Sequence, residues 1–367
     1  MTKIILLDID GVLVHPGGYR AALRATVNHF LGAEFETHED ILTDLEKRGI
    51  SSEWDMAPLI IASYWNSILL QHPKQNLPED VFAATNELQK IKIPNPITIP
   101  EFDLVAGQYP AEAAFHAGCF LSIPLELRKK LLTKTRDIHS SPTMCIFQHF
   151  TLGSDKFSET YDLPAEFEAE SLLLTHDRSN IDDEIRSKLR KYHLAAFTAR
   201  PSGPPAEVTG SIVGYAPEAE LALELVKLTD IPLIAFGKLE YLASQHGLNP
   251  AALVKPSPVQ ALAGVLAAWT NDEWSSLQAA NIWRETGKLN ETFKQLPKEF
   301  ELMVVEDTMG GIRSVRAAGK ILQEADFDID IKAIGLTSGS GAKSSAFEEA
   351  NIPYFENWES LIAGVGL

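Results

Sequence analysis

Short apolar runs that end at a polar or acidic residue recur along the chain. They cover residues 4–7, 194–197, 233–236, 302–305 and 331–336. A strand covered by helices on both faces is apolar at every position, so these runs predict buried parallel strands. Helical patterns precede or separate the last four runs, for example at residues 181–192, 218–228 and 239–246. The alternation predicts an α/β fold with a doubly wound parallel sheet.

The first and second runs are separated by a long segment that lacks this alternation. It reads mainly as helices, and the better candidates are residues 19–31, 54–70, 78–91 and 124–135. The stretch 142–164 is less regular. We therefore predict a core domain made of residues 1–15 and 175–367, with a large, mainly helical cap domain, residues 16–174, inserted after the first strand.

A second, smaller excursion covers residues 269–297 of the core and holds three of the six tryptophans. Its apolar spacing predicts one or two extra helices. We expect Trp269, Trp274 and Trp283 to pack on the core or on a partner subunit. A homo-oligomer is therefore one of the alternatives.

Composition narrows the class of protein. A length of 367 residues suggests roughly two domains, large enough to bury cores without disulfides. Two cysteines and no apolar run of membrane-spanning length favour a cytoplasmic protein that does not enter membranes. The net charge of -18 repels nucleic acid. A small phosphorylated molecule can still bind where a cation and a few donors reverse the charge locally.

The residues that follow the apolar runs are the candidates for chemistry, because ligands of an open parallel sheet bind beyond the carboxyl ends of its strands. Asp8 and Asp10 follow the first run and point the same way, and Gly11 permits a sharp turn after them. Alone, the motif fits turn formers or helix caps equally well. A calcium-binding EF-hand loop is excluded, because Leu13 stands where that loop requires glycine.

Later apolar runs are followed by four further candidates, Thr198, Lys255, Glu306 and Asp307. The hydroxyl of Thr198 and the amide that follows it can both face a bound oxyanion. Lys255 precedes a proline, which favours an extended backbone that can hold the side chain toward the ligand edge. Glu306 and Asp307 are adjacent carboxylates at a buried strand end, and their repulsion favours a nearby cation. Taken singly, the threonine also fits a structural role and the lysine a solvated surface.

In this order and at these strand ends, the motifs resemble the haloacid dehalogenase superfamily of phosphohydrolases and phosphomutases. Four motifs carry the resemblance: Asp8-Ile9-Asp10-Gly11-Val12-Leu13, Thr198, Lys255 in Lys-Pro-Ser-Pro, and Glu306-Asp307 followed by Gly311 and Ala317-Ala318-Gly319. The resemblance covers the core but not the cap in detail. It implies a central first strand, a cap like that of the phosphoglucomutase and phosphoglycolate phosphatase branch, and a magnesium-dependent aspartyl-phosphate mechanism.

The resemblance also implies catalytic roles. Asp8 would attack phosphorus and become a phospho-aspartate, while Asp10 would protonate the leaving oxygen and then deprotonate water. Thr198 would hold phosphoryl oxygens, and Lys255 would neutralise the transferring group and keep the nucleophile ionised.

Substrate and metal contacts follow from the same resemblance. Thr198 and the Ala199 amide would contact the substrate. Apart from the resemblance, we expect Arg200 to contact it as well, because it comes directly after the threonine motif. Mg²⁺ would be held by Asp8, the Asp10 carbonyl and Asp307, and Glu306 would bind it either directly or through another ligand. With Asp10 protonated, Mg²⁺ and Lys255 would neutralise the three remaining carboxylates, so a phosphate dianion could enter only with metal bound.

We therefore predict a phosphoric monoester hydrolase that acts on a small phosphorylated metabolite. Many relatives carry another acid where this chain has Gly311, so Glu306 must supply any second carboxylate. Asp10 argues against carbon-halogen cleavage, because true dehalogenases lack it. A phosphomutase with the same residues and a phosphate-binding protein without turnover remain alternatives. Residues 339–344 superficially resemble a P-loop, but Ala342 separates the glycine from the lysine, so we interpret them as a plain loop.

Overall fold

The structure is a computed structural model that describes residues 2–91, 97–105, 107–209 and 213–367. The chain divides into two compact units. We call Met1–Pro16 together with Asp177–Leu367 the sheet unit, and Gly17–His176 the helical unit. The helical unit begins one residue and ends two residues later than the cap domain predicted above.

The strands lie in the sheet unit and are β1 (Thr2–Leu7), β2 (Val14–His15), β3 (Arg178–Ser179), β4 (His193–Phe197), β5 (Leu233–Ile234), β6 (Glu299–Glu306), β7 (Asp328–Leu336) and β8 (Tyr354–Phe355). Six of them form a parallel sheet in the order β5-β4-β1-β6-β7-β8. β2 and β3 form a separate antiparallel ribbon. The α/β class and the parallel sheet are therefore confirmed, with β1 bordered by β4 and β6.

The helical unit contains α1 (Gly18–Leu31), α2 (Glu39–Lys47), α3 (Glu53–Gln71), α4 (Val81–Leu88), α5 (Pro110–His116), α6 (Leu125–Leu132), α7 (Pro142–Leu152), α8 (Ser154–Tyr161) and α9 (Leu172–His176). They enclose an apolar core of their own around the buried rings of Phe30, Trp65 and Phe147. A unit with its own core has the main physical requirement for folding as a domain.

The sheet unit adds α10 (Asp183–Leu189), α11 (Glu218–Leu225), α12 (Phe236–His246), α13 (Pro258–Thr270), α14 (Glu273–Thr286), α15 (Met309–Glu324), α16 (Gly341–Glu349), α17 (Trp358–Val365) and two 3₁₀ turns, Pro250–Ala252 and Glu291–Gln295. The alternate residues Ile4 and Leu6 of β1 pack in the cluster that contains α12 to α15. Ile5 and Leu7 pack in the cluster that contains α10, α11 and α17. Helices thus cover both faces of the sheet, as a doubly wound fold requires.

The excursion predicted at residues 269–297 is α14 with the 3₁₀ turn that follows it. Its tryptophans, Trp269, Trp274 and Trp283, are partly buried against the core cluster of α12 to α15. The expected packing on the core is therefore present. In the part of the chain that the structure describes, none of the helices combines the length and apolar character needed to cross a bilayer.

Four predictions of local structure were wrong. The run 233–236 is a strand only to Ile234, because α12 already begins at Phe236. The helix placed at 78–91 starts at Val81, where the Asp80 carboxylate caps the Ala83 amide at 2.8 Å. The irregular stretch 142–164 is mostly α7 and α8, and the nearly complete burial of α7 hid its helical pattern. The presumed loop 339–344 contains the start of α16.

Candidate active site

Three carboxylates meet at the carboxyl edge of the sheet. Since β1 and β6 are hydrogen-bonded neighbours, the residues that follow β1 stand beside the end of β6. The Asp8 amide donates to the Val305 carbonyl at 3.1 Å and so extends this pairing by one residue. One carboxylate oxygen from each of Asp8, Glu306 and Asp307 lies within 4.8 Å of the other two. Two motifs that are far apart in the sequence therefore form one cluster, which we call the carboxylate cluster.

Lys255 brings a cation to the carboxylate cluster. Its Nζ lies 2.8 Å from Asp8 Oδ1 and 2.5 Å from Glu306 Oε1. The same ammonium group lies 4.7 Å from the ring centre of Phe197, the last residue of β4. Lys255 is therefore fixed between two buried carboxylates and an aromatic face, so it is not the solvated surface residue that the sequence left open.

Gln260, fully buried in the first turn of α13, holds the backbone around Lys255. Its Oε1 accepts a hydrogen bond from the Lys255 amide at 3.0 Å. Its Nε2 donates to the carbonyls of Thr198 and Ile234, both at 2.8 Å. One amide side chain thus joins the lysine segment to the ends of β4 and β5.

Glu306 is fully buried, and both of its carboxylate oxygens accept hydrogen bonds. Oε1 accepts from Lys255, and Oε2 accepts from the amide and the hydroxyl of Thr308 at 3.1 and 3.0 Å. A Cβ atom at Gly311 would lie 1.6 Å from Oε1. The absence of a side chain at Gly311 is therefore what lets the Glu306 carboxylate lie over the start of α15.

Asp307 pairs with a lysine from the segment 339–344, which the sequence pattern predicted to be a plain loop. Lys343 Nζ lies 2.5 Å from Asp307 Oδ2, and Lys343 belongs to the first turn of α16, which Ser340 caps. Gly11 approaches Asp307 from the loop after β1: its φ is +73°, and a Cβ atom there would lie 2.4 Å from Oδ2. Gly11 is thus needed both for the left-handed turn and for the close approach of Asp307.

The carboxylate cluster is short of positive charge, since its three carboxylates face two ammonium groups. Burial raises the pKa of Asp8 well above its usual value. The charge of Glu306 is the second cause of this rise, and the charge of Lys255 opposes it. Burial alone would lower the pKa of Lys255, but the charges of Asp8 and Glu306 raise it above its usual value. Burial also raises the pKa of Asp307, and Lys343 acts in the opposite direction. A divalent cation would supply the missing charge.

The segment after β4 holds the predicted substrate contacts. Thr198 is buried, and its hydroxyl oxygen accepts a hydrogen bond from the Arg200 amide at 3.2 Å. Ala199 is exposed. The contacts of these three residues with a substrate stay predictions.

The guanidinium group of Arg200 binds two carboxylates. Its Nε donates to both oxygens of Asp10 at 3.0 and 2.9 Å, and its Nη2 donates to Asp10 Oδ1 at 2.5 Å. The same Nη2 also donates to Asp177 Oδ2 at 2.9 Å. The side chains of Arg200 and Asp177 are each 2% exposed, whereas that of Asp10 is 33% exposed.

The structure brings four of the predicted site residues into one cluster: Asp8, Lys255, Glu306 and Asp307. Sequence reasoning missed Lys343, Asp177 and Gln260. Lys343 had only a weak signal, since it lies in the first turn of α16, seven residues after the end of β7. Asp177 and Gln260 had no comparable signal, since each acts on groups that are distant in sequence.

In comparisons with protein-family models, with curated proteins and with solved structures, no match to the chain was found.

Proposed function

We propose that the protein is a magnesium-dependent phosphatase, a phosphoric monoester hydrolase of the haloacid dehalogenase superfamily, that acts on a small phosphorylated metabolite. The observation that carries the proposal is the position of Lys255 Nζ, 2.8 Å from Asp8 Oδ1 and 2.5 Å from Glu306 Oε1. A buried nucleophile with a fixed cation beside it is what transfer of a phosphoryl group requires.

The carboxylate cluster fits Mg²⁺. Mg²⁺ prefers oxygen ligands and is commonly held by one or two carboxylates together with substrate phosphate and water. The proposed ligands are Asp8, Asp307 and the Asp10 carbonyl, with Glu306 beside them. Because both oxygens of Glu306 accept hydrogen bonds, its main role is to hold Lys255 and Thr308. Mg²⁺, when bound, supplies the positive charge that lets a phosphate dianion approach the carboxylates.

The proposed reaction has two steps. Asp8 attacks phosphorus and forms a new P–O bond, while the bond to the leaving oxygen breaks and that oxygen takes a proton from Asp10. Water then attacks the phospho-aspartate and gives a proton to Asp10, and the bond between phosphorus and Asp8 breaks. Oδ1 of Asp8 already accepts from the Ile9 amide at 2.8 Å and from Lys255, so Oδ2 is the proposed attacking oxygen.

The test is a screen of sugar phosphates, phosphoglycolate, nucleotides and 4-nitrophenyl phosphate, with Mg²⁺ or with a chelator. We expect release of inorganic phosphate with Mg²⁺, loss of activity in chelator, and recovery when Mg²⁺ is restored. Asp8→Asn should reduce kcat by at least about 1,000-fold, because the neutral amide cannot attack phosphorus. Release of an isomerised product instead of phosphate would identify a phosphomutase.

Asp182→Asn is the matched control. Asp182 caps α10 through the Ile185 amide at 2.8 Å, and asparagine caps a helix about as well as aspartate. This variant should keep native activity. Normal turnover by Asp8→Asn would refute the assigned nucleophile, and binding of phosphate with Mg²⁺ but no hydrolysis across the screen would indicate a phosphate-binding protein.

A further inference from the structure

Arg200 directs its guanidinium group at Asp10, the carboxylate assigned to proton transfer, and not outward to solvent. Three N–H···O contacts join the two groups, and Oδ1 of Asp10 receives two of them while Oδ2 receives one. A guanidinium group is planar and rigid, so bonds to both oxygens fix the plane of the carboxylate as well as its position. A lysine at this place would act as a point charge and would not fix that plane.

Asp177 anchors this arginine from the other side. Its Oδ2 accepts from Arg200 Nη2 at 2.9 Å, and both side chains are almost fully buried. A buried carboxylate of this kind holds its partner firmly, because separating the pair would leave an uncompensated charge in the interior. Asp10 is the most exposed of the three side chains in this group, with 33% of its surface accessible to solvent. The arrangement is thus a fixed pair that presents one accessible carboxylate.

We propose that Arg200, anchored by Asp177, is the positioning residue that orients the Asp10 carboxylate for proton transfer; this inference rests on the phosphatase activity proposed above. It replaces the direct substrate contact expected of Arg200 from the sequence. Oδ2 of Asp10, which accepts from Arg200 once, is the oxygen that gives a proton to the leaving group in the first step and takes one from water in the second.

Substrates with different leaving groups can distinguish a role of Arg200 in orienting Asp10 from a general structural role. The 4-nitrophenolate ion leaves without a proton, so the attack by Asp8 on 4-nitrophenyl phosphate does not need Asp10. Hydrolysis of the phospho-aspartate still needs Asp10 to take a proton from water. An alkoxide needs a proton to leave, so an alkyl phosphate requires Asp10 in both steps.

The experiment follows the release of 4-nitrophenolate by the full-length Arg200→Gln protein with Mg²⁺ in a rapid-mixing instrument. We expect a burst of about one 4-nitrophenolate per protein at close to the native rate, followed by turnover about 100-fold slower than native. With the best alkyl phosphate of the screen we expect no burst and a loss of about 100-fold or more in kcat, with little change in KM.

Additional variants keep the test decisive if Arg200→Gln does not fold. The double variant Arg200→Gln/Asp177→Asn removes both charges of the buried pair and should show the same burst. Arg200→Lys keeps the charge and should recover only part of the lost turnover. Arg186→Gln is the matched control: Arg186 is another buried arginine, bonded to Asp183 and to the Val226 carbonyl, and its loss should change neither the burst nor the turnover.

Loss of the 4-nitrophenolate burst itself would overturn the positioning role and leave the phosphatase proposal standing. A rise in KM without a fall in kcat would also overturn the positioning role, and it would indicate that Arg200 contacts the substrate directly. If the native protein hydrolyses none of the phosphates, the phosphatase proposal fails and this inference fails with it.

Discussion

Lys343 changes the charge of the carboxylate cluster from what the sequence predicts. With Lys255 alone, a bound Mg²⁺ would make the cluster neutral. With Lys343 2.5 Å from Asp307 Oδ2, the same cluster carries one net negative charge before metal binds and one net positive charge afterwards. Lys343 should therefore compete with Mg²⁺ for Asp307 and, once Mg²⁺ is bound, attract the phosphate dianion.

Replacement of Lys343 by methionine tests this competition. At ~4 Å, two unit charges interact by about 1 to 4 kcal/mol over effective dielectric constants from ~80 down to ~20, and Lys343 is 34% exposed, which favours the lower part of that range. Lys343→Met should therefore bind Mg²⁺ roughly tenfold more tightly and, with Mg²⁺ present, bind inorganic phosphate roughly tenfold more weakly. Isothermal titration calorimetry measures both affinities without substrate turnover.

Lys332→Met provides the comparison, because Lys332 is also half-exposed and pairs with Glu301 at 2.6 Å on β6 and β7, away from their carboxyl ends. It should leave both affinities unchanged. Unchanged Mg²⁺ affinity in Lys343→Met would show that the lysine does not compete for Asp307.

The residues of the site differ in how easily they can be identified from the sequence. Asp8, Glu306 and Asp307 could be found because each stands where a buried apolar run stops, a place that a strand and its burial determine. Lys255 was found through its proline context and the order of the motifs. Lys343 lies in the first turn of α16, and its partner is set by how α16 follows β7, which no local pattern encodes.

At the scale of elements, the start of α15 shows how a helix and a site constrain each other. Gly310 and Gly311 are neighbours in its first turn, yet a Cβ atom would meet different surroundings at each. At Gly310 the nearest atom would be Thr308 Oγ1 at 3.8 Å, an ordinary contact, whereas at Gly311 it would be Glu306 Oε1 at 1.6 Å. Glu306 cannot move aside freely, because Lys255 and Thr308 hold both of its oxygens.

Alanine at these two positions should have opposite effects. Gly310→Ala should raise the free energy of unfolding by up to about 1 kcal/mol, because alanine restricts the unfolded chain. Gly311→Ala should lower it by about 1 to 3 kcal/mol, because the new methyl group must displace a buried, bonded carboxylate. Gly311→Ala should also weaken Mg²⁺ binding. Urea denaturation and calorimetry measure the two quantities, and equal effects at both positions would contradict the role assigned to Gly311.

Elements were predictable where one physical signal dominated. β1, β4, β6 and β7 each contain one of the apolar runs, so their strands were found. The strand predicted for β5 was two residues too long, since an apolar segment does not reveal where a strand ends and a helix begins. α7 was not found because its sides are almost all buried, which removes the polar stripe that marks an amphipathic helix. The missed elements thus depend on tertiary burial.

At the scale of the molecule, the chain leaves the sheet unit directly after β2 and returns to it directly before β3, and these two strands are neighbours. β2 and β3 pair antiparallel, with His15 opposite Arg178, directly before and after the insertion. The two ends of the helical unit also lie together, since a Cβ atom at Gly17 would come within 2.6 Å of the His176 carbonyl oxygen. Each unit has its own apolar core. The sheet unit therefore requires only a tight turn in place of residues 17–176.

Replacement of residues 17–176 by Asn-Gly, a pair that favours tight hairpin turns, tests whether the sheet unit folds alone. We expect a protein that unfolds in one cooperative transition in urea, with an m-value smaller than that of the full chain because less surface is exposed on unfolding. Its Mg²⁺ affinity should stay within about threefold of native, since Asp8, Glu306, Asp307 and both lysines of the cluster belong to the sheet unit. The isolated segment 17–176 should likewise unfold cooperatively, because its core is built from its own helices. Gradual, non-cooperative unfolding of the shortened protein would mean that the sheet depends on the insertion for its stability, and the two units would then form a single folding domain.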